Sequence, residues 1–308
     1  MLCGMRKLFS VLADSLMIWS RNFTLIYVLL FSSLLFELLI PRNESPALEP
    51  RWFLLAGVML LLFGAVMAGL YRMVALACDR FLGQPREQAL RQASPKDALT
   101  LFQAFLPGIS QSMFPIVGGY LVQLLMAVLL LLPTQPLLMK YLPMLQKMLP
   151  MGTNERMNLL LALPVAQQDE LSALFLMLLV GMAVFALFGL MTILWPAFVV
   201  YYRNNPLKAC ARSMLQFFKD PLTMIGLVVV LIGIRIPLFL LNSVGVGSGN
   251  YLISMLVTLM ALFVEIFIAI AVFVYVYQAV GKPIVDPDPS KGSPLQEQGE
   301  KSEERFED

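Results

Sequence analysis

The chain contains no histidine. That absence excludes Ser-His-Asp hydrolysis, Cys-His nucleophilic chemistry, the HExxH zinc site and histidine proton relays, all of which need an imidazole titrating near neutrality. Charge is scarce as well. Only 14% of the 308 residues are Asp, Glu, Lys or Arg, against about a quarter in a soluble globular domain. The three cysteines, Cys3, Cys78 and Cys210, have no CxxC spacing, so neither a redox pair nor a metal site is indicated. No residue stands out as catalytic, and no metal, cofactor or nucleic-acid partner is expected.

What the chain has in abundance is apolar surface: 59% hydrophobic residues and a mean hydropathy of +0.77. Runs of roughly 20 apolar residues, long enough to cross a bilayer, fall at 22–40, 52–70, 113–132, 171–200, 222–241 and 251–277. These imply an integral membrane protein: an all-α, polytopic helix bundle of six transmembrane helices occupying residues 1–281. Pro196 in the fourth run and Pro237 in the fifth each remove a helical hydrogen bond and predict a kink or an end. Residues 282–308 are rich in Pro, Ser and charge, and read as a disordered acidic cytoplasmic tail.

Lys and Arg divide unevenly between the connecting segments: 16 on the side of both termini, five on the other, with Arg235 inside a span. The asymmetry predicts that both the N- and the C-terminus are cytoplasmic. Cysteines on that reducing side predict no disulfide. The basic, then apolar, N-terminal segment lacks a small-residue cleavage pattern and is expected to be a retained anchor.

Three segments preceding the odd-numbered spans have helical amphipathic spacing. In the first, Met5, Leu8, Phe9, Leu12, Leu16 and Trp19 share a face. In the second, Ser94-Pro95-Lys96-Asp97 is a helix-start signal, followed by Ala98, Leu99, Phe102, Phe105 and Leu106 along one side. In the third, Asn205-Pro206 opens a helix with Leu207, Cys210, Ala211, Met214, Phe217 and Phe218 on its apolar face. Such helices are expected to lie on the cytoplasmic headgroup boundary. Their basic residues Arg6, Lys7, Arg21, Lys208, Arg212 and Lys219 are candidate contacts for anionic lipid headgroups. The bilayer itself and other membrane proteins are the expected partners. ADSLMIWSRN (residues 13–22) aligns with ARSMLQFFKD (residues 211–220). This suggests three units, each an interface helix followed by a transmembrane hairpin, although any basic interfacial helix before a span gives a similar pattern.

The layout, and above all WPAFVVYYRNNPLKACARSMLQFFKDPLTMIG (residues 195–226), resembles the YciC-type family of six-span bacterial inner-membrane proteins. A related membrane domain is fused to some glycerophosphodiester phosphodiesterases. The resemblance rests on a proline ending span four, a polar turn with Pro206, and Ala209 and Ser213 on a basic helix before a hydrophobic hairpin. It implies a membrane location and no established mechanism. No soluble phosphodiesterase domain is expected within these 308 residues.

Three ionisable residues lie inside spans: Glu37, Arg235 and Glu265. A charge near the centre costs about 2.5–3.5 kcal/mol on insertion scales. Counted from the outer ends of the runs above, Arg235 lies about 9 Å deep, Glu37 about 5 Å and Glu265 about 21 Å. Depth therefore favours Glu37 as the partner of Arg235, with the Gly233 carbonyl freed by Pro237 as a third candidate. Adjacency in one hairpin leaves Glu265 open. The pair reads either as a structural staple or as a contact for an anionic substrate, and snorkelling to headgroups is a further alternative.

Weaker signals have bland explanations. GVGSG (residues 245–249) reads as a flexible hairpin, and the prolines at 133, 136, 143 and 150 are expected to break the outer loop into short pieces. Met139, Met144, Met148, Met151 and Met157 alternate with leucines as in an interfacial apolar face. Gly64, Gly69, Gly226 and Gly233 suit close helix packing. Together these point first to a non-enzymatic membrane protein that organises lipid or binds partners. The alternative is a transporter or lipid-translocating protein that uses Arg235 and the intramembrane glutamates. An intramembrane enzyme ranks last.

Overall fold

A computed structural model of the chain describes residues 2–39, 50–84, 95–148, 152, 155, 158–159, 161–248 and 251–281. The described residues form helices and the turns between them: α1 (Leu2–Arg21), α2 (Thr24–Leu39), α3 (Pro50–Leu82), α4 (Pro95–Gln103), α5 (Phe105–Leu131), a 3-10 turn (Leu132–Thr134), α6 (Gln135–Met148), α7 (Val165–Met191), α8 (Trp195–Tyr202), α9 (Pro206–Lys219), α10 (Pro221–Ser248) and α11 (Tyr251–Val280). Among the described residues, five helical runs are long and apolar enough to cross a membrane, and α1 with α2, bent by 74° at their joint, gives a sixth if the pair is one span. The protein is an all-α, multi-pass membrane helix bundle. The expected acidic tail, 282–308, lies outside the described residues.

The main core surrounds α8. Every residue from Leu194 to Tyr201 is buried, enclosed by α3, α5, α9 and α11. The break before it lies at residues 192–194, where Thr192 bonds its hydroxyl back to the Phe188 carbonyl at 2.8 Å. Pro196 itself stands in the first turn of α8, where a missing N–H costs nothing. The predicted interruption is therefore real but sits just upstream of the proline. Gly119 of α5 makes the close approach possible: a Cβ there would fall 2.2 Å from the Trp195 ring. Within a bilayer, such packing replaces the hydrophobic effect as the force that joins helices.

The α8–α9 turn is built by local polar bonds. Arg203 takes a left-handed conformation (φ 48°) at the end of α8. Asn204 donates to the Phe198 carbonyl at 3.3 Å, and the Asn205 side chain caps α9 by accepting from the Lys208 amide at 2.8 Å. With Pro206 at the start of α9, the helix opens as its sequence predicts.

The aligned first and third segments occupy equivalent joints. Asn22 lies between α1 and α2, and Asp220 between α9 and α10. Their carbonyls accept from Leu25 (3.0 Å) and Met224 (3.1 Å) as the next helix starts. Ser15 and Ser213, paired in the alignment, are both fully buried. The middle segment differs. The bonds Ala104 to Leu101 and Gly108 to Ala104 carry the ladder from α4 into α5, and residues from Ala98 to Met148 continue without a comparable bend. That run of 51 residues extends about 76 Å, far more than the roughly 30 Å of a hydrocarbon core.

Two expectations are corrected here. In the loop after span three, Pro133 stands in the 3-10 turn that separates α5 from α6, but residues 135–148 are one helix: Pro136 is the second residue of α6, where its ring is harmless, and α6 continues through Pro143. Pro150 lies outside the described residues. Tyr141, Leu171 and Leu174 form a second small core between α6 and α7; Lys140 and Tyr141 both bond Glu170 across it. Second, α10 runs through Pro237 to Ser248, so Gly245 and Gly247 are helical rather than part of a hairpin turn. Of the glycines read as packing positions, Gly64 meets Val117, Gly69 meets Phe105 and Gly226 meets Leu8, whereas Gly233 meets nothing.

Candidate functional site: an ion pair inside the bundle

Arg235 pairs with Glu265. Nη2 of the guanidinium lies 2.5 Å from both Oε1 and Oε2 of the carboxylate. The sequence-based depths favoured Glu37, and the reason for the difference is the length of α10. The helix ends at Ser248, not at residue 241, and α11 begins at Tyr251. Arg235 and Glu265 are therefore almost equidistant from the hairpin apex, each about 20 Å along its helix. The Glu37 side chain lies outside the described residues. Among those that are described, neither Nε nor Nη1 of Arg235 has an acceptor, and the Gly233 carbonyl receives no bond from it.

The pair is half-exposed, with 55% of the Arg235 side chain and 46% of the Glu265 side chain accessible. That exposure opens onto two cavities. One, of about 530 Å³, lies between α10 and α11 and is lined by Ile232, Ile236, Phe239, Val257 and Ala261. The other, of about 470 Å³, lies among α2, α3, α8, α10 and α11 and is partly open; Ser33, Phe36, Met67, Tyr71, Pro196 and Ala269 line it. Arg235 and Glu265 belong to the walls of both. Tyr71 adds a hydroxyl to the internal cavity, 3.4 Å from that of Tyr120 on α5. Neither tyrosine was singled out by the sequence, because a lone Tyr in an apolar run looks like any other packing residue.

The six candidate lipid contacts separate into two groups. Arg6, Lys208, Arg212 and Lys219 are exposed, with the Arg212 guanidinium 5.8 Å from the Tyr202 ring. Lys7 and Arg21 are engaged within the protein. Lys7 reaches Asp220 at 2.6 Å and lies 5.3 Å from the Tyr275 ring, while Arg21 stacks 5.9 Å from Phe81. Tyr275 also contacts Asp220 at 3.4 Å and accepts from Gln216 at 3.3 Å. This cluster ties α1 to α9, α10 and α11. Burial raises the Asp220 carboxyl, but the Lys7 ammonium and the Thr223 amide outweigh it and hold the group below the ordinary aspartate value.

Among the described residues, no three His, Cys, Asp or Glu side chains gather as metal ligands. Cys78 and Cys210 are free and buried. Met144 packs beside the second core and Met148 is buried, whereas Met151 and Met157 lie outside the described residues. No family model, curated protein or solved structure matches the chain.

Proposed function

We propose that the chain is a non-enzymatic protein of the bacterial inner membrane that organises lipid along the cytoplasmic surface, with both termini in the cytoplasm. One observation carries this reading: α1 and α9 are each fixed to the bundle on one face and apolar on another. α1 buries Val11, Ser15 and Ile18 and leaves Met5, Phe9 and Leu16 exposed. α9 buries Ala209, Cys210 and Ser213 and leaves Leu207, Leu215 and Phe218 exposed. A helix held in this way, with cations on its rim, seats at the headgroup boundary and recruits anionic lipid. The 16-to-5 distribution of basic residues supports the orientation, and the resemblance of residues 195–226 to the YciC-type family supports the location. Partner membrane proteins are expected to meet the same surface.

The test is native mass spectrometry of the chain extracted from membranes containing phosphatidylglycerol and phosphatidylcholine. The quadruple variant R6Q/K208Q/R212Q/K219Q is expected to lose most bound phosphatidylglycerol while melting at the wild-type temperature. Unchanged retention of the anionic lipid would overturn the proposal.

A further inference from the structure

An ion pair is an unusual material for a wall between two cavities inside a bilayer. Two leucines would separate them at lower cost, since apolar replacements for buried ion pairs are often neutral or stabilising. An ion pair has one capacity that leucines lack: its members can exchange partners. Arg235 is a permanent cation with Nε and Nη1 unengaged among the described residues. Glu265 can accept a proton and become a neutral acid. The two cavities meet at this pair, and each falls within the roughly 300–1,000 Å³ range of small-ligand sites.

We infer that the Arg235–Glu265 pair is a partner-exchange site for a single-chain amphiphile with a carboxylic acid head, whose chain occupies the internal cavity. The ligand approaches through the α10–α11 cleft as the neutral acid. Its proton passes to Glu265, and its new carboxylate takes the guanidinium that Glu265 releases. One O–H bond breaks and one forms, one ion pair replaces another, and no net charge enters the hydrocarbon. This balance selects a carboxylic acid over a phospholipid. A phosphodiester arrives ionised, brings no proton, and would leave Glu265 as an uncompensated second anion at mid-membrane depth. Among the described residues, the titratable side chain on the internal cavity besides the pair itself is Tyr71, hydrogen-bonded with Tyr120. Ser33 supplies a further polar contact. The site is remote from the exposed cations of α1 and α9, so its failure would leave the lipid-organising reading standing.

The test uses the full chain in phosphatidylcholine nanodiscs, with radiolabelled palmitic acid as the probe and methyl palmitate and phosphatidylglycerol as competitors. Wild type is expected to bind the acid at least about tenfold more tightly than the methyl ester. The double variant R235L/E265L, which removes both charges and leaves none unpaired, is expected to lose that preference. Ala269→Phe fills the internal cavity while leaving both charges in place, and is expected to abolish saturable palmitate binding while the protein still melts cooperatively. Equal affinity for acid and ester, a preserved acid preference in the double variant, or competition by phosphatidylglycerol as strong as by palmitate would each overturn the proposal. Undiminished binding in Ala269→Phe would do the same.

Discussion

Arg235 and Glu265 stand opposite one another across the α10–α11 hairpin, with one guanidinium nitrogen 2.5 Å from both carboxylate oxygens. Neither residue could stay charged alone at that depth without a cost of about 2.5–3.5 kcal/mol. Their pairing makes the hairpin tolerable in a membrane, and it also places a separable cation and anion between two cavities. The staple and the ligand contact, alternatives in the sequence, are compatible roles of one pair.

Gly119→Ala is predicted to destabilise by about 1–3 kcal/mol, the usual range for overpacking. The new Cβ would meet the Trp195 ring at 2.2 Å, and Trp195 is 2% exposed, so neither side can yield cheaply. A detergent melt checks it. An unchanged melting temperature would mean that the α5–α8 contact is looser than described.

Asn205→Ala should cost about 1 kcal/mol, the typical value of an N-cap, because the Lys208 amide loses its acceptor. Asn205→Asp should be nearly neutral, since the carboxylate caps equally well and suits the helix dipole. Equal losses in the two variants would show that packing of the amide, not capping, matters at this joint.

Acid should loosen the attachment of α1. Asp220 is held below its ordinary value of 3.8, so the folded state prefers the carboxylate. Its stabilising contribution is complete above the unfolded value and disappears as pH falls through the lowered folded value. Below about pH 4 the wild type should therefore lose stability faster than Asp220→Asn, with the excess slope absent at neutral pH. Parallel pH profiles for the two proteins would contradict the role assigned to the Lys7–Asp220 contact.

Much of the architecture was written in hydropathy. All six spans have helical counterparts, because long apolar runs in a membrane admit few alternatives to helix. The Asn205-Pro206 start was also readable, being a local capping signal. Helix ends were less so. Residues 242–248, NSVGVGS, look like a turn by composition, yet they continue α10, and that single extension changed the inferred partner of Arg235. The interface faces were only half legible for a related reason. α1 and α9 are apolar toward the bundle and apolar again on an exposed side. A single stripe drawn through Met5, Leu8, Phe9, Leu12, Leu16 and Trp19 therefore mixed the core-packed Leu8, Leu12 and Trp19 with the exposed Met5, Phe9 and Leu16, and missed the fully buried Val11, Ser15 and Ile18. The internal cavity left no trace in the sequence, because Ser33, Tyr71 and Ala269 come from three different helices.

The most direct test of the central claim is a double-mutant cycle on the hairpin, with Arg235→Leu, Glu265→Leu and the double variant melted in nanodiscs. Each single change leaves one unpaired charge in the bundle and should destabilise by about 2.5–3.5 kcal/mol. The double variant should recover most of that loss, a coupling well beyond the few tenths seen between independent sites. If the two effects simply add, the residues are not partners in the membrane and the account of this site fails.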